Sequence, residues 1–180
     1  DALRMMRAVR LAAELDFMIE ADTMGAIFAQ RELLARIATE RITAEWLRLI
    51  DSPTPMQGML LLEKLGLLEQ FLPELKDSIG CEQGGAHAYD VFEHLLRTLQ
   101  AAADKGFSTE MRLAALFHDI GKPATRRTGG RTKKYTFYGH EVVGARMTAA
   151  ILERLKLPRE TIDTVVTLVR WHMFFADPEE

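Results

Sequence analysis

The chain has a single cysteine, Cys81, in 180 residues. No internal disulfide can form and no cysteine-rich zinc site can be built, so a reducing, cytoplasmic setting is the default expectation. Long apolar runs are also missing: nothing approaches the ~18 consecutive apolar residues of a membrane span, and no membrane partner is expected. Positive charge is not in excess either. Lys and Arg number 23 against 26 Asp and Glu, a formal net charge of −3, which excludes a protein that grips nucleic acid by bulk basicity, since phosphate neutralisation drives that mode. Any such contact has to come from local patches. Two are present, Arg4, Arg7 and Arg10 near the start, and Lys122, Arg126, Arg127, Arg131, Lys133 and Lys134 in a stretch with no acidic residue. An initiator methionine, a basic leader and an apolar signal core are absent at Asp1, where the pattern is already charged and helical. A fragment of a longer protein is the expectation.

What is present is the composition of an ordinary globular protein, 48% hydrophobic and 27% charged, long enough to bury a core as one domain or two. Apolar residues recur at helical spacing, as in Leu3, Met6, Val9 and Ala13, then Ile27, Leu33, Leu34 and Ile37, then Ile42, Trp46, Leu47 and Ile50. This predicts an all-α fold. Breaks fall at Ser52-Pro53-Thr54-Pro55, at Gly66 and from Gly80 to Ala86, where Gly84-Gly85 interrupts any helix. The last break suggests a boundary between helices in residues 1–80 and a helical bundle in residues 81–180. In the second part, Asp90 followed by Glu93 predicts a helix start running to about Ala103. Ser108 or Thr109 opens another that stops near Gly121-Lys122-Pro123, and further helices fit Glu141 to Leu155 and Pro158 to about Met173. A Gly129-Gly130 loop precedes Tyr135 to Tyr138, the one segment with strand character.

All five histidines, His87, His94, His118, His140 and His172, lie beyond residue 80. A lone helical histidine is usually a satisfied core or surface group. His118-Asp119 is different, because it ends the apolar run Leu113 to Phe117, and a carboxylate placed there needs a partner. Neighbouring helix positions point about 100° apart, so both can touch one ion only at a helix end. Gly121 supplies that end, and His94 on the preceding helix could bring a third ligand if the two helices pack together. Imidazole and carboxylate without thiolate suit Mg, Mn, Fe, Co or Ni and leave the identity open.

Asp90-Val91-Phe92-Glu93-His94, Ala115 through Pro123 with His118-Asp119 at its centre, and Gly139-His140-Glu141 together resemble the HD phosphohydrolase superfamily. The resemblance implies that His94, His118 and Asp119 bind a divalent metal and that a closing aspartate completes the set. Here methionine stands beside His172, and Asp177 or a residue beyond Glu180 would have to substitute. By the same resemblance Lys122, His140 and His172 are the groups expected to act on substrate phosphate, the two histidines through a second metal or directly. The basic stretch from Arg126 to Lys134 would add charge. Tyr135, Phe137 and Tyr138 are expected to pack, with stacking on a base as the alternative.

The opening segment, Asp1 through Phe17, with Ile19-Glu20, Ala26-Ile27, Glu40-Arg41-Ile42, Gly66-Leu67-Leu68 and Leu72-Pro73-Glu74-Leu75, resembles the neck and body that follow the catalytic head of class II tRNA nucleotidyltransferases and bacterial poly(A) polymerases. The resemblance covers nearly the whole chain. It implies that Asp1 and Arg4 read the base of an incoming ATP or CTP by side-chain hydrogen bonds, a carboxylate accepting from the exocyclic amino group and a guanidinium donating to the ring. Arg7 and Arg10 continue at spacing three toward triphosphate or RNA. The Gly-Ser motif and paired aspartates that hold metals for nucleotidyl transfer are not in this sequence. The expected role is therefore base selection, contact with RNA such as a tRNA 3′ end, and an HD module. Two other readings stay open: a stand-alone HD hydrolase of nucleotides or cyclic phosphates, and a non-catalytic helical interaction domain.

Overall fold

A computed structural model describes residues 1–129, 131 and 134–174. Helices dominate the described residues, as the apolar spacing predicts. The first half holds α1 (Leu3–Leu15), α2 (Ala21–Gln30), α3 (Thr39–Ile50), α4 (Pro55–Lys64) and α5 (Leu68–Phe71); the second holds α6 (Val91–Asp104), α7 (Thr109–Phe117), α8 (Lys122–Thr125), α9 (His140–Arg154) and α10 (Arg159–Arg170). Short 3-10 turns cover Arg31–Arg36, Pro73–Ser78 and His172–Phe174. No helix among the described residues is long and apolar enough to cross a membrane.

The helix ends follow the local chemistry. Pro55 sits in the first turn of α4, where its missing N–H costs nothing. Asp90 caps α6 by accepting from the Glu93 N–H at 2.7 Å, and Ser108 caps α7 by accepting from the Met111 N–H at 3.3 Å. Pro158 precedes α10. The strand expected at Tyr135 to Tyr138 is a shorter and slightly earlier element. Strand β2 covers Lys134–Thr136 and pairs antiparallel with β1, Arg127–Gly129, which no alternation in the sequence announces. Three-residue strands with little burial carry no period to detect. Gly130 and Lys133 lie outside the described residues, as does Asp177.

One apolar core runs through both halves. Trp46 of α3 is fully buried, its ring centroid 6.0 Å from that of Phe71 and 6.3 Å from that of Phe117, so α3, α5 and α7 meet at one indole. Polar groups cross the same seam. Buried Arg112 of α7 donates to the carbonyls of Ile50 and Ser52 at 3.0 and 2.9 Å, satisfying acceptors that the end of α3 leaves open. Thr43 donates to the Leu155 carbonyl at 2.7 Å, and Arg154 reaches Glu74 and the Phe71 carbonyl. The break at Gly80 to Ala86 thus interrupts the helices, while the core continues across it.

Candidate metal centre

Asp119 and His118 follow the last residue of α7 in a turn that leads into α8. His118 keeps helical backbone angles, φ −58° and ψ −33°, and its Nε2 still meets Asp119 Oδ2 at 3.1 Å, at the helix end where both can face one point. Gly121 makes the turn possible. A Cβ there would lie 2.3 Å from the His140 carbonyl oxygen and 2.6 Å from the Gly144 nitrogen, so only glycine lets the start of α9 press against this turn. His140 is consequently set beside Asp119. His94 arrives from the second turn of α6, which packs on α7, and His172 follows α10, which packs on both α7 and α9.

The Asp119 carboxylate, 2% exposed, is the hub. Its Oδ2 lies 3.2 Å from His94 Nε2, 3.1 Å from His118 Nε2 and 3.2 Å from Lys122 Nζ. Oδ1 lies 3.3 Å from His140 Nε2 and 3.4 Å from His172 Nε2. Each oxygen therefore faces its own histidine pair, and within the pairs the Nε2 atoms approach to 3.0 and 3.3 Å. Three of the rings are tied from behind: Nδ1–H of His118, His140 and His172 donates to the carbonyl of Ala115, Phe137 and Val169 at 2.7, 2.9 and 2.6 Å. A carbonyl can only accept, so Nδ1 carries the hydrogen and a neutral ring presents its lone pair at Nε2.

Lone pairs aimed at a carboxylate and at one another repel unless a cation lies between them. Protons or a metal ion can fill that role, and the donor set fits a divalent metal: His94, His118 and Asp119 form one group of ligand atoms, and Asp119, His140 and His172 a second. The proton affinities carry the same sense. Burial alone would push the His118 imidazole down, yet the charge and hydrogen bond of Asp119 raise it above its ordinary value. His140 is raised in the same way, its hydrogen bond to Asp119 outweighing burial. Burial would push the Asp119 carboxyl up, but His118, with hydrogen bonds from His140 and His172, holds it well below the usual carboxylate range.

A model of the HD domain matches residues 91–180, half of the chain. The chain belongs to the HD-domain family. Residues 16–79 of this HD-domain chain match a second family, described as "Probable RNA and SrmB- binding site of polymerase A". Among curated proteins it is similar to the CC-adding tRNA nucleotidyltransferase of Thermus thermophilus, 42% identical over 96% of this chain and 42% of that protein. The A-adding tRNA nucleotidyltransferase of Deinococcus radiodurans is 39% identical over the same shares, and the multifunctional CCA protein of Halorhodospira halophila 34%. The chain thus spans about two fifths of the length of these relatives.

The other expected site residues are placed differently from one another. The arginines of α1 differ in exposure. Arg4 is exposed; Arg7 is half-exposed and donates to Glu45 at 3.0 Å; Arg10, 8% exposed, is held by Glu45 at 2.8 Å and Glu14 at 3.3 Å. Asp1 accepts from the Leu3 N–H at 3.0 Å and from Arg41 at 3.1 Å. Around the centre, Lys122 Nζ lies 5.2 Å from the centre of the Phe137 ring and Arg126 stacks 4.7 Å over Tyr135, so these two aromatics are covered. Tyr138 does not pack as expected: it is 87% exposed, two residues before His140. His87 is exposed in the loop before α6. Among the polar residues that sequence reasoning passed over and that prove buried are Glu45 and Gln83. An acid within the apolar stripe of Ile42, Trp46 and Leu49 was the available signal for Glu45; nothing in the local pattern distinguishes Gln83.

Proposed function

We propose that the HD centre is a divalent-metal-dependent phosphohydrolase site and that the chain serves within an RNA nucleotidyltransferase of the cytoplasm that builds or repairs a 3′ end, as on tRNA. The observation that supports the first part is the Asp119 carboxylate, each of whose oxygens faces two imidazole nitrogens. His94, His118 and Asp119 would hold one ion, and Asp119 with His140 and His172 a second. When bound, such an ion polarises a phosphoryl oxygen and acidifies a water. The chain's own residues do the rest. Backbone carbonyls fix the ring orientations, and Lys122 places a buried positive charge where a substrate phosphate would meet the centre.

The second part draws support from the two family matches in series and from relatives named as tRNA nucleotidyltransferases. Within it, exposed Arg4, with Asp1, is the group proposed to read the base of ATP or CTP, while Arg7 and Arg10 act from the same helix. Because Arg10 is paired with Glu45 and Glu14, its contribution is to hold α1 in place under Arg4 and Arg7.

Two measurements on the full-length enzyme test the division of labour. Asp119→Ala is expected to abolish Mn²⁺-dependent hydrolysis of p-nitrophenyl phosphate and 2′,3′-cyclic AMP while leaving nucleotide addition to tRNA intact; parallel loss of both activities sinks the proposal. Arg4→Ala is expected to blur nucleotide choice, by about tenfold if one base-reading hydrogen bond is lost. An unaltered preference for CTP and ATP over UTP and GTP counts against Arg4 as the reader.

A further inference from the structure

The loop from Gly80 to Asp90 is built to hold one side chain. Asp90 closes it at both ends, Oδ2 accepting from the Gly80 N–H at 2.8 Å while Oδ1 caps α6, and the Val91 N–H donates to the Cys81 carbonyl at 2.9 Å. Gly84 and Gly85 take positive φ of 76° and 60°, which turns the chain sharply just after Gln83. The Gln83 side chain is directed inward, 6% exposed, and both ends of its amide are engaged. Nε2 donates to the Tyr89 carbonyl at 3.2 Å, which fixes the amide's orientation, and Oε1 accepts from Lys122 Nζ at 2.8 Å. Lys122 is equally buried at 6%, and its ammonium also donates to Asp119 Oδ2 at 3.2 Å.

We propose that Gln83 is a positioning residue that aims the Lys122 ammonium at the phosphate oxygen of a phosphoester bound at the HD centre; this rests on the phosphohydrolase reading above. An ammonium has three N–H donors on a flexible four-carbon stem. Asp119 cannot hold it alone, because the same carboxylate faces four imidazoles. Gln83 takes a second N–H, and two anchors leave the third donor for a substrate oxygen. An amide oxygen suits this task better than a carboxylate, since it orients the cation without cancelling the charge the substrate needs.

The test uses the full chain and four proteins: wild type, Gln83→Leu, Gln83→Glu and Lys122→Met. In metal-free protein, ¹⁵N–¹H spectra are expected to show one slowly exchanging lysine ammonium that Lys122→Met removes, Gln83→Leu loses and Gln83→Glu keeps. With Mn²⁺ loaded to equal stoichiometry, inorganic phosphate is expected to bind Gln83→Leu about tenfold more weakly than wild type, the scale of one lost charge-assisted hydrogen bond. Gln83→Glu is expected to weaken phosphate as well, by neutralising the lysine it still holds. KM for p-nitrophenyl phosphate is expected to rise with the phosphate Kd in both variants. A wild-type ammonium signal and phosphate Kd in Gln83→Leu overturn the proposal, and so does a drop in its Mn²⁺ stoichiometry, which would make Gln83 a support of the ligands instead. Should Gln83→Leu not fold, an undiminished phosphate affinity in Gln83→Glu overturns it. Absence of phosphoester hydrolysis by wild type removes the hydrolase reading alone, because ammonium exchange and phosphate binding still decide what Gln83 does.

Discussion

Asp119 raises the proton affinity of two imidazoles beside it. His118 and His140 have raised proton affinities because a buried carboxylate outweighs their burial. The linkage to folding has a definite sign. A group whose folded pKa is raised contributes stability that is complete below its unfolded value, ~6.5 for an imidazole, and is lost as pH rises through the folded value. Metal-free protein is therefore expected to melt at lower temperature at pH 8.5 than at pH 6. Divalent metal is expected to reverse that trend, because it binds the neutral rings and is displaced by protons as pH falls. Differential scanning fluorimetry across pH 5.5 to 9, with chelator and with Mn²⁺, checks both limbs; identical pH profiles in the two conditions would mean that the imidazoles do not face a shared metal site. The depressed Asp119 carboxyl acts at the other end of the scale, its stability present above the unfolded carboxylate range and lost as pH falls from there through the lowered folded value.

At the level of elements, α1 and α3 are joined by a small ionic network that lies inside the packing between them. Glu45 accepts from Arg7 and Arg10, Glu14 from Arg10 and Arg48, and the Arg10–Glu45 pair is nearly out of water. Burial would raise the Glu45 carboxyl; hydrogen bonds from Arg10 and Arg7 more than offset it and hold it below its ordinary value. Removing one member of such a pair leaves a buried charge without compensation. Glu45→Ala is expected to cost ~3 kcal/mol in chemical denaturation, at the lower end of the range for broken buried pairs. Its effect is expected to shrink as pH falls from the unfolded glutamate value through the lowered folded one, where the wild-type glutamate takes up a proton and gives up the same stabilisation. A loss under 0.5 kcal/mol at neutral pH, the size of a surface change, would show that the pair adds nothing net. The same network buries Arg10 and engages Arg7, while Arg4 stays exposed. Spacing three puts Arg4, Arg7 and Arg10 on one slanted row, but which part of the row faces a neighbouring helix depends on where α3 lies.

For the molecule as a whole, the continuous core predicts joint unfolding. Trp46 belongs to the first half and touches Phe117 of the second, while Trp171 follows α10. Single-tryptophan variants, Trp171→Phe and Trp46→Phe, let each indole report alone. Their fluorescence is expected to give coincident urea midpoints once each is compared with circular dichroism of the same variant. Midpoints that differ between indole and backbone signals would show that residues 1–80 and 81–180 come apart as separate units. Cooperative unfolding would also tie the HD centre to the RNA-binding family region, since metal bound to one part then stabilises both.

Helix type, most helix ends and the candidacy of His94, His118 and Asp119 as ligands were legible in the sequence, because each depends on neighbours within one turn or on a short motif: the cap at Asp90, the cap at Ser108, the break at Gly84-Gly85, and the His118-Asp119 pair before Gly121. The hairpin strand Arg127–Gly129 was not, since three residues with little burial have no apolar period. Nor were the burial of Glu45, the inward turn of Gln83, or the exposure of Tyr138. A side chain's partner across 35 or 39 positions, as in Arg10 with Glu45 or Gln83 with Lys122, is set by how helices cross, and that is a property of packing. The sequence by itself determined which residues could form helices and which could donate to a metal. Only the tertiary structure decided that His140 and His172 share one carboxylate with His94 and His118, because a contact of 3.3 Å between segments so far apart exists only after α7, α9 and α10 have packed together.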